Sequence, residues 1–118
     1  MAEGLLDLAD HLPSSDRALL RGVYDRGMTP VDLARAVGQR PHTVRQRLQR
    51  LVERIGSPGF IFVLRSSRRW PRVRRDVGQL VFLQGCSQRA AATRLGLSLH
   101  RVRQEVDHIR LLLDEAQS

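Results

Sequence analysis

The chain has 118 residues, enough for one compact unit or two small subdomains sharing a core. Twenty arginines and no lysine face twelve acids, a formal charge of +8 that points to a polyanionic partner, nucleic acid before an anionic membrane surface. The single cysteine, Cys86, excludes an intrachain disulfide and a cysteine-rich zinc site; the acidic start (Glu3, Asp7, Asp10) and the lack of a ~18-residue apolar run predict a soluble, intracellular protein with no signal peptide and no membrane span.

Leu5, Leu8, Ala9 and Leu12 share one stripe, which predicts a short N-terminal helix within residues 1–13, ending before Pro13. Ser14 or Ser15 caps the next helix, which carries Asp16 at its positive end and Leu19, Leu20, Val23 and Tyr24 inward, then stops near Gly27. Thr29-Pro30-Val31-Asp32 combines a hydroxyl cap, a proline at the first helical position and an acid at the third. Leu33, Ala34 and Val37 of that helix face inward and Gly38 closes it. A third helix is predicted from Pro41 to Ile55, because Val44, Leu48, Leu51, Val52 and Ile55 fall within an arc of about 100°. His42, Thr43, Gln46, Gln49 and Arg50 take the opposite arc, flanked by Arg45, Arg47 and Arg54.

Gly56-Ser57-Pro58-Gly59 then breaks the helix. The apolar run Phe60–Leu64, the basic turn Arg65-Ser66-Ser67-Arg68-Arg69 and Trp70-Pro71-Arg72-Val73 read as two short strands of a β-hairpin wing; the plainer alternative is a buried strand followed by a basic linker. A new helix from about Arg72 to Gly85 carries Val77, Leu80, Val81 and Phe82, with Gly78 costing it about 1 kcal/mol relative to alanine. Ser87 caps a helix with Ala90, Ala91 and Leu95, Gly96 makes a turn, and Ser98 caps a last helix bearing Val102, Val106, Ile109 and Leu113.

These elements repeat. Residues 17–55 laid on 75–113 match at nine of 39 positions, including Gly27/Gly85, Ala34/Ala92, Gly38/Gly96, His42/His100, Val44/Val102, Arg45/Arg103 and Gln46/Gln104. The spacing of small residue, turn glycine and β-branched residue is that of helix, tight turn and second helix. The expected fold is therefore mainly α: tandem helix-turn-helix units with a short β-hairpin wing between them, the winged first unit spanning 14–73 and the second 74–118. Charge is uneven along the chain: residues 40–75 hold eleven arginines against Glu53 alone, while residues 76–118 hold five arginines and five acids.

Residues 12–55 resemble the last DNA-binding region of bacterial sigma factors in Leu12-Pro13, Gly27-Met28-Thr29, Leu33-Ala34 and Thr43-Val44-Arg45-Gln46-Arg47-Leu48. Residues 44–78 are similar to the winged portion of LysR-type regulators in Leu48, Leu51-Val52-Glu53, Gly56, Phe60, Arg65, Arg68-Arg69 and Gly78. Repeat two resembles the LysR-type motif in Phe82, Gly85-Cys86-Ser87, Arg89-Ala90-Ala91, Leu95-Gly96-Leu97-Ser98 and Val102. The resemblance implies a bacterial, cytoplasmic, nucleoid-associated regulator of transcription. The chain leaves no room for the ligand-binding domain of LysR-type proteins, so a small-molecule sensor is not expected.

In such a protein His42, Thr43, Gln46 and Arg50 are the candidate base readers and Arg45, Arg47 and Arg54 hold phosphates. Arg65, Arg68 and Arg69 on the wing reach the backbone or a minor groove. Arg40 stands where repeat two has the cap residue Ser98; arginine has no acceptor for the free N–H groups, and a phosphate suits that helix start. In repeat two, Glu105 replaces Arg47, Asp107 replaces Gln49 and Leu111-Leu112 replace Glu53-Arg54. Two acids repel phosphate and the leucines suggest a partner surface, so repeat two is expected to pack, to dimerise the chain or to recruit another protein, such as another regulator. The competing reading is a bipartite reader in which Ser98, His100, Arg101, Arg103 and Gln104 touch a second DNA site; a rival of another class is a protein-interaction module, either a sigma-like partner of RNA polymerase or an anti-activator. His42 and His100 lack companion ligands, no nucleophile or phosphate-loop motif occurs, and Cys86 reads as a small core residue. No metal, cofactor or enzymatic activity is expected.

Overall fold

Apolar stripes, with hydroxyl caps at four of the starts, turn this chain into a succession of short helices; Ser14 and Ser15, expected to cap, lie inside their helix, whose start at Pro13 has no side-chain cap. A computed structural model describes residues 9–118, and the fold is mainly α, with no strand among the described residues. The chain divides between Ile55 and Gly56 into two units.

The first unit opens with a 3₁₀ turn at Ala9–His11, followed by α1 (Ser14–Tyr24), α2 (Pro30–Val37) and α3 (Pro41–Ile55). The N-terminal helix expected within 1–13 lies, up to residue 8, outside the described residues; beyond it Ala9 and Leu12 are buried. α2 starts as its sequence dictates. The Thr29 hydroxyl accepts from the Asp32 N–H at 3.1 Å, and the Asp32 carboxylate accepts from the Thr29 N–H at 3.1 Å. Those bonds, the backbone one foremost, hold the Asp32 carboxyl below its ordinary pKa. The cap is therefore complete above the usual carboxylate range and is lost as pH falls through the lowered value. Leu19, Leu33, Ala34 and Val44 form the core of this unit, with Val23, Met28 and Leu48 packed against it. Val37, expected inward, ends α2 at 42% exposure, and Tyr24 ends α1 at 38%; both stripes lose their cover in the last turn.

The second unit departs from expectation at its start. There is no β-hairpin wing. Pro58–Ser66 is a helix, α4, followed by a 3₁₀ turn at Ser67–Arg69. Ser57 is its cap, accepting from the Phe60 N–H at 3.3 Å, with Pro58 in the first turn. The segment that breaks α3 thus starts another helix with the same hydroxyl–proline signal as Thr29-Pro30. Phe60 and Val63, three residues apart, are fully buried, and a five-residue apolar run fits a buried helix as well as a strand. Trp70-Pro71, read as strand, leads into α5 (Arg72–Gly78), which continues as a π-helical turn over Gln79–Leu83. The Trp70 ring lies 5.8 Å from that of Phe62. α6 (Gln88–Leu95) and α7 (Leu99–Gln117) follow, capped by the Ser87 and Ser98 hydroxyls. Val77, Leu80, Ala91, Ala92, Val102 and Val106 form the core, with Cys86 packed beside them. Gly78 has a packing reason to be small: a Cβ there would meet Trp70, Ile109 and Val63 side chains at 3.1–3.3 Å.

The repeat is a repeat of backbone. Arg17 N–H bonds Pro13 C=O and Arg75 N–H bonds Pro71 C=O, both at 2.9 Å; Met28 N–H to Gly22 and Cys86 N–H to Leu80 are also both 2.9 Å. The bonds Gln39 to Ala34 and Leu97 to Ala92 measure 2.9 and 3.0 Å, and Val44 to Arg40 and Val102 to Ser98 both 3.1 Å. Even the 3₁₀ turns at Ala9–His11 and Ser67–Arg69 correspond. The second unit therefore begins at α4, and the boundary expected between 73 and 74 moves to 55/56 because the supposed wing belongs to repeat two.

Gly38 and Gly96 close α2 and α6 at φ 69° and 66°, where a side chain meets no neighbour but the backbone is left-handed. Gly38→Ala and Gly96→Ala should each destabilise the chain by about 1–2 kcal/mol, by similar amounts, from strain alone. Thermal unfolding of the two variants checks this; a stabilising substitution at either glycine would contradict it.

Candidate nucleic-acid interface

α3 carries its apolar stripe inward, with Val44, Leu51 and Ile55 buried. The opposite face is open: Arg40, His42, Thr43, Arg45, Gln46, Gln49 and Arg50 are all exposed. The one acid of the helix, Glu53, sits in the fourth turn and accepts from Gln49 Nε2 at 3.2 Å. Two residues assigned to phosphate are placed differently. Arg54 Nη2 lies 2.9 Å from Asp16 Oδ2, with side chains 23% and 19% exposed, and Arg47 Nη2 lies 3.8 Å from Asp16 Oδ1. Arg47 also donates to Gln39 Oε1 at 3.0 Å. These two guanidiniums tie α3 to α1, so the open cations of this face are Arg40, Arg45 and Arg50. Asp16 was visible in the sequence only as a helix-start acid; its tie to residues 31 and 38 positions away has no local signal.

The same two positions are joined in the second unit with the charges reversed. Arg74, which corresponds to Asp16, donates to Glu105, which corresponds to Arg47, at 3.3 Å. Arg101 Nη2 lies 3.9 Å from the other Glu105 oxygen, and Arg74 Nη2 lies 3.3 Å from His108 Nδ1. Glu105 is 7% exposed. The acid expected to repel phosphate is thus turned inward and neutralised. Ser98, His100, Arg101, Arg103 and Gln104 remain exposed along the first turns of α7, as does Asp107, which pairs with Arg110 at 3.9 Å. Leu111 is 62% exposed, while Leu112 is half-buried.

Arg65, Arg68 and Arg69 are exposed, but on the end of α4 and the 3₁₀ turn rather than on a hairpin. Arg65 borders a shallow concavity of about 410 Å³ that Phe62 and Leu113 also line. With the wing gone, the charge distribution changes meaning. Residues 1–55 hold nine arginines against seven acids, net +2, and residues 56–118 hold eleven against five, net +6. The basic middle third is divided between the units, and the larger excess falls to the second.

Comparison with protein-family models, curated proteins and solved structures yields no match. No helix among the described residues is long and apolar enough to cross a membrane. No three His, Cys, Asp or Glu side chains among them gather as a metal-binding group.

The reversed pair gives a direct test. Asp16→Arg alone should destabilise the first unit strongly, because it sets a third guanidinium against Arg47 and Arg54. Adding Arg47→Glu and Arg54→Leu installs the second unit's residues at all three positions and should recover much of the loss, with a coupling of about 1–3 kcal/mol in chemical denaturation. Strictly additive effects would show that the three side chains do not act together.

Proposed function

We propose that this chain is a sequence-specific double-stranded DNA-binding transcriptional regulator built from tandem helix-turn-helix units. It would act on nucleoid DNA in a bacterial cytoplasm. α3 serves as a recognition helix: His42, Thr43, Gln46 and Arg50 read base edges, and Arg40 and Arg45 hold phosphates. The observation that carries this is the outward face of α3, polar and basic over three turns with every one of those side chains exposed and no acid before Glu53. Arg47 and Arg54 support the site from behind, fixing α3 through Asp16. Arginine suits the task, because its planar fork grips phosphate and guanine in two places at once.

The test is binding to DNA fragments selected from a random duplex pool, titrated with salt. Through 6–10 phosphate contacts, affinity should fall ~10³–10⁵-fold between 50 and 200 mM salt. Arg45→Ala with Arg50→Ala should weaken binding, relax sequence preference at the positions α3 reads and lower the salt slope by about 1, while leaving unfolding unchanged. Wild-type affinity in the double variant would refute the role of α3. So would tight binding to a protein alongside only weak, sequence-blind DNA affinity, the outcome expected of an RNA polymerase partner or anti-activator.

Leu111 favours a second surface. A leucine at 62% exposure on a helix largely polar outside supports a contact with another protein, and a second copy of the chain is the simplest occupant. Leu111→Glu should then lower the hydrodynamic size at micromolar concentration; an unaltered size would remove the dimer contact from this residue.

A further inference from the structure

The two units share more than a backbone. His42, Arg45 and Gln46 of α3 recur as His100, Arg103 and Gln104 of α7, at the same register and all exposed. The helices start from equivalent places, since the Arg40 and Ser98 carbonyls accept from Val44 and Val102 in bonds of 3.1 Å. A residue four positions beyond the histidine lies on the same helical face. Each unit therefore presents one histidine above one glutamine with an arginine beside them. No packing need explains three matching polar residues on an open face, whereas the neighbouring open positions differ: Thr43 against Arg101, Gln49 against Asp107, Arg50 against His108.

We propose that α7 reads DNA as α3 does, so that the target carries two copies of one short base element, one for each unit. This rests on the DNA-binding reading of α3. One observation supports it independently of that reading: Glu105 is withdrawn from the open face and neutralised by Arg74. Gln46 and Gln104 contact adenine through its N6 and N7 edge, the pairing that a carboxamide makes in both directions. The differing neighbours set how strictly each copy is read.

Selection from a random duplex pool with the full chain tests the idea. The expected result is enriched sequences holding the same short adenine-containing element twice. Gln46→Ala and Gln104→Ala should each relax the adenine in one copy only and weaken binding about tenfold to hundredfold. Enriched sequences with a single element, or a Gln104→Ala variant indistinguishable from the parent while Gln46→Ala is impaired, would overturn this inference and leave the role of α3 standing. Absence of preference for any duplex would overturn both.

Discussion

The turn before the last helix of each unit is the constraint on which the rest depends. Gly38 and Gly96 hold a left-handed backbone, and the N–H of the next residue returns to the carbonyl of Ala34 or Ala92. That fixes the residue at which the following helix starts. Once α3 begins at Pro41, the helical period alone sends Val44, Leu51 and Ile55 inward and leaves His42, Arg45, Gln46 and Arg50 outside. One residue of slip would rotate the helix by about 100° and bury the basic face. The candidate site is thus a consequence of a turn to which, of its residues, Arg40 alone belongs.

Counting arginines along the chain is a poor guide to where its open positive charge lies. In the first unit Arg21 is engaged by Asp10, and Arg47 and Arg54 by Asp16. In the second Arg74 and Arg101 are engaged by Glu105, Arg72 by Asp76 and Arg110 by Asp107. What remains open, rather than the total, defines each basic surface. Taken that way the two units are more alike than their residue counts along the sequence suggest.

Most helix starts and turns were legible in the residues. Thr29-Pro30, Ser87 and Ser98 cap as their types demand, and the α3 stripe lies where its period puts it. Helix α4 was not legible, for a specific reason: Phe60–Leu64 is apolar at every position, so it carries no period, and its β-favouring residues argue for a strand. The signal that decides the matter, Ser57-Pro58, stands directly after Gly56 and reads equally as the end of α3. The inward turn of Arg47 has no local signal, because its partner Asp16 lies on another helix. An alignment of the repeats begun at Arg17 stops one residue short of Asp16/Arg74 and four short of Pro13/Pro71, the pairs that show how far the duplication runs.

The opposite polarity of the two ion pairs has a consequence for assembly. Duplicated units with matching backbones offer each other's helices nearly correct docking sites, and misassembly by exchange is a hazard of repeated folds. Were α1 to settle on α7, Asp16 would face the carboxylate of Glu105. Were α5 to settle on α3, Arg74 would face the guanidiniums of Arg47 and Arg54. Like charge in a poorly solvated seam penalises both hybrids, so α1 and α5 are each sorted to their own partner as the chain folds.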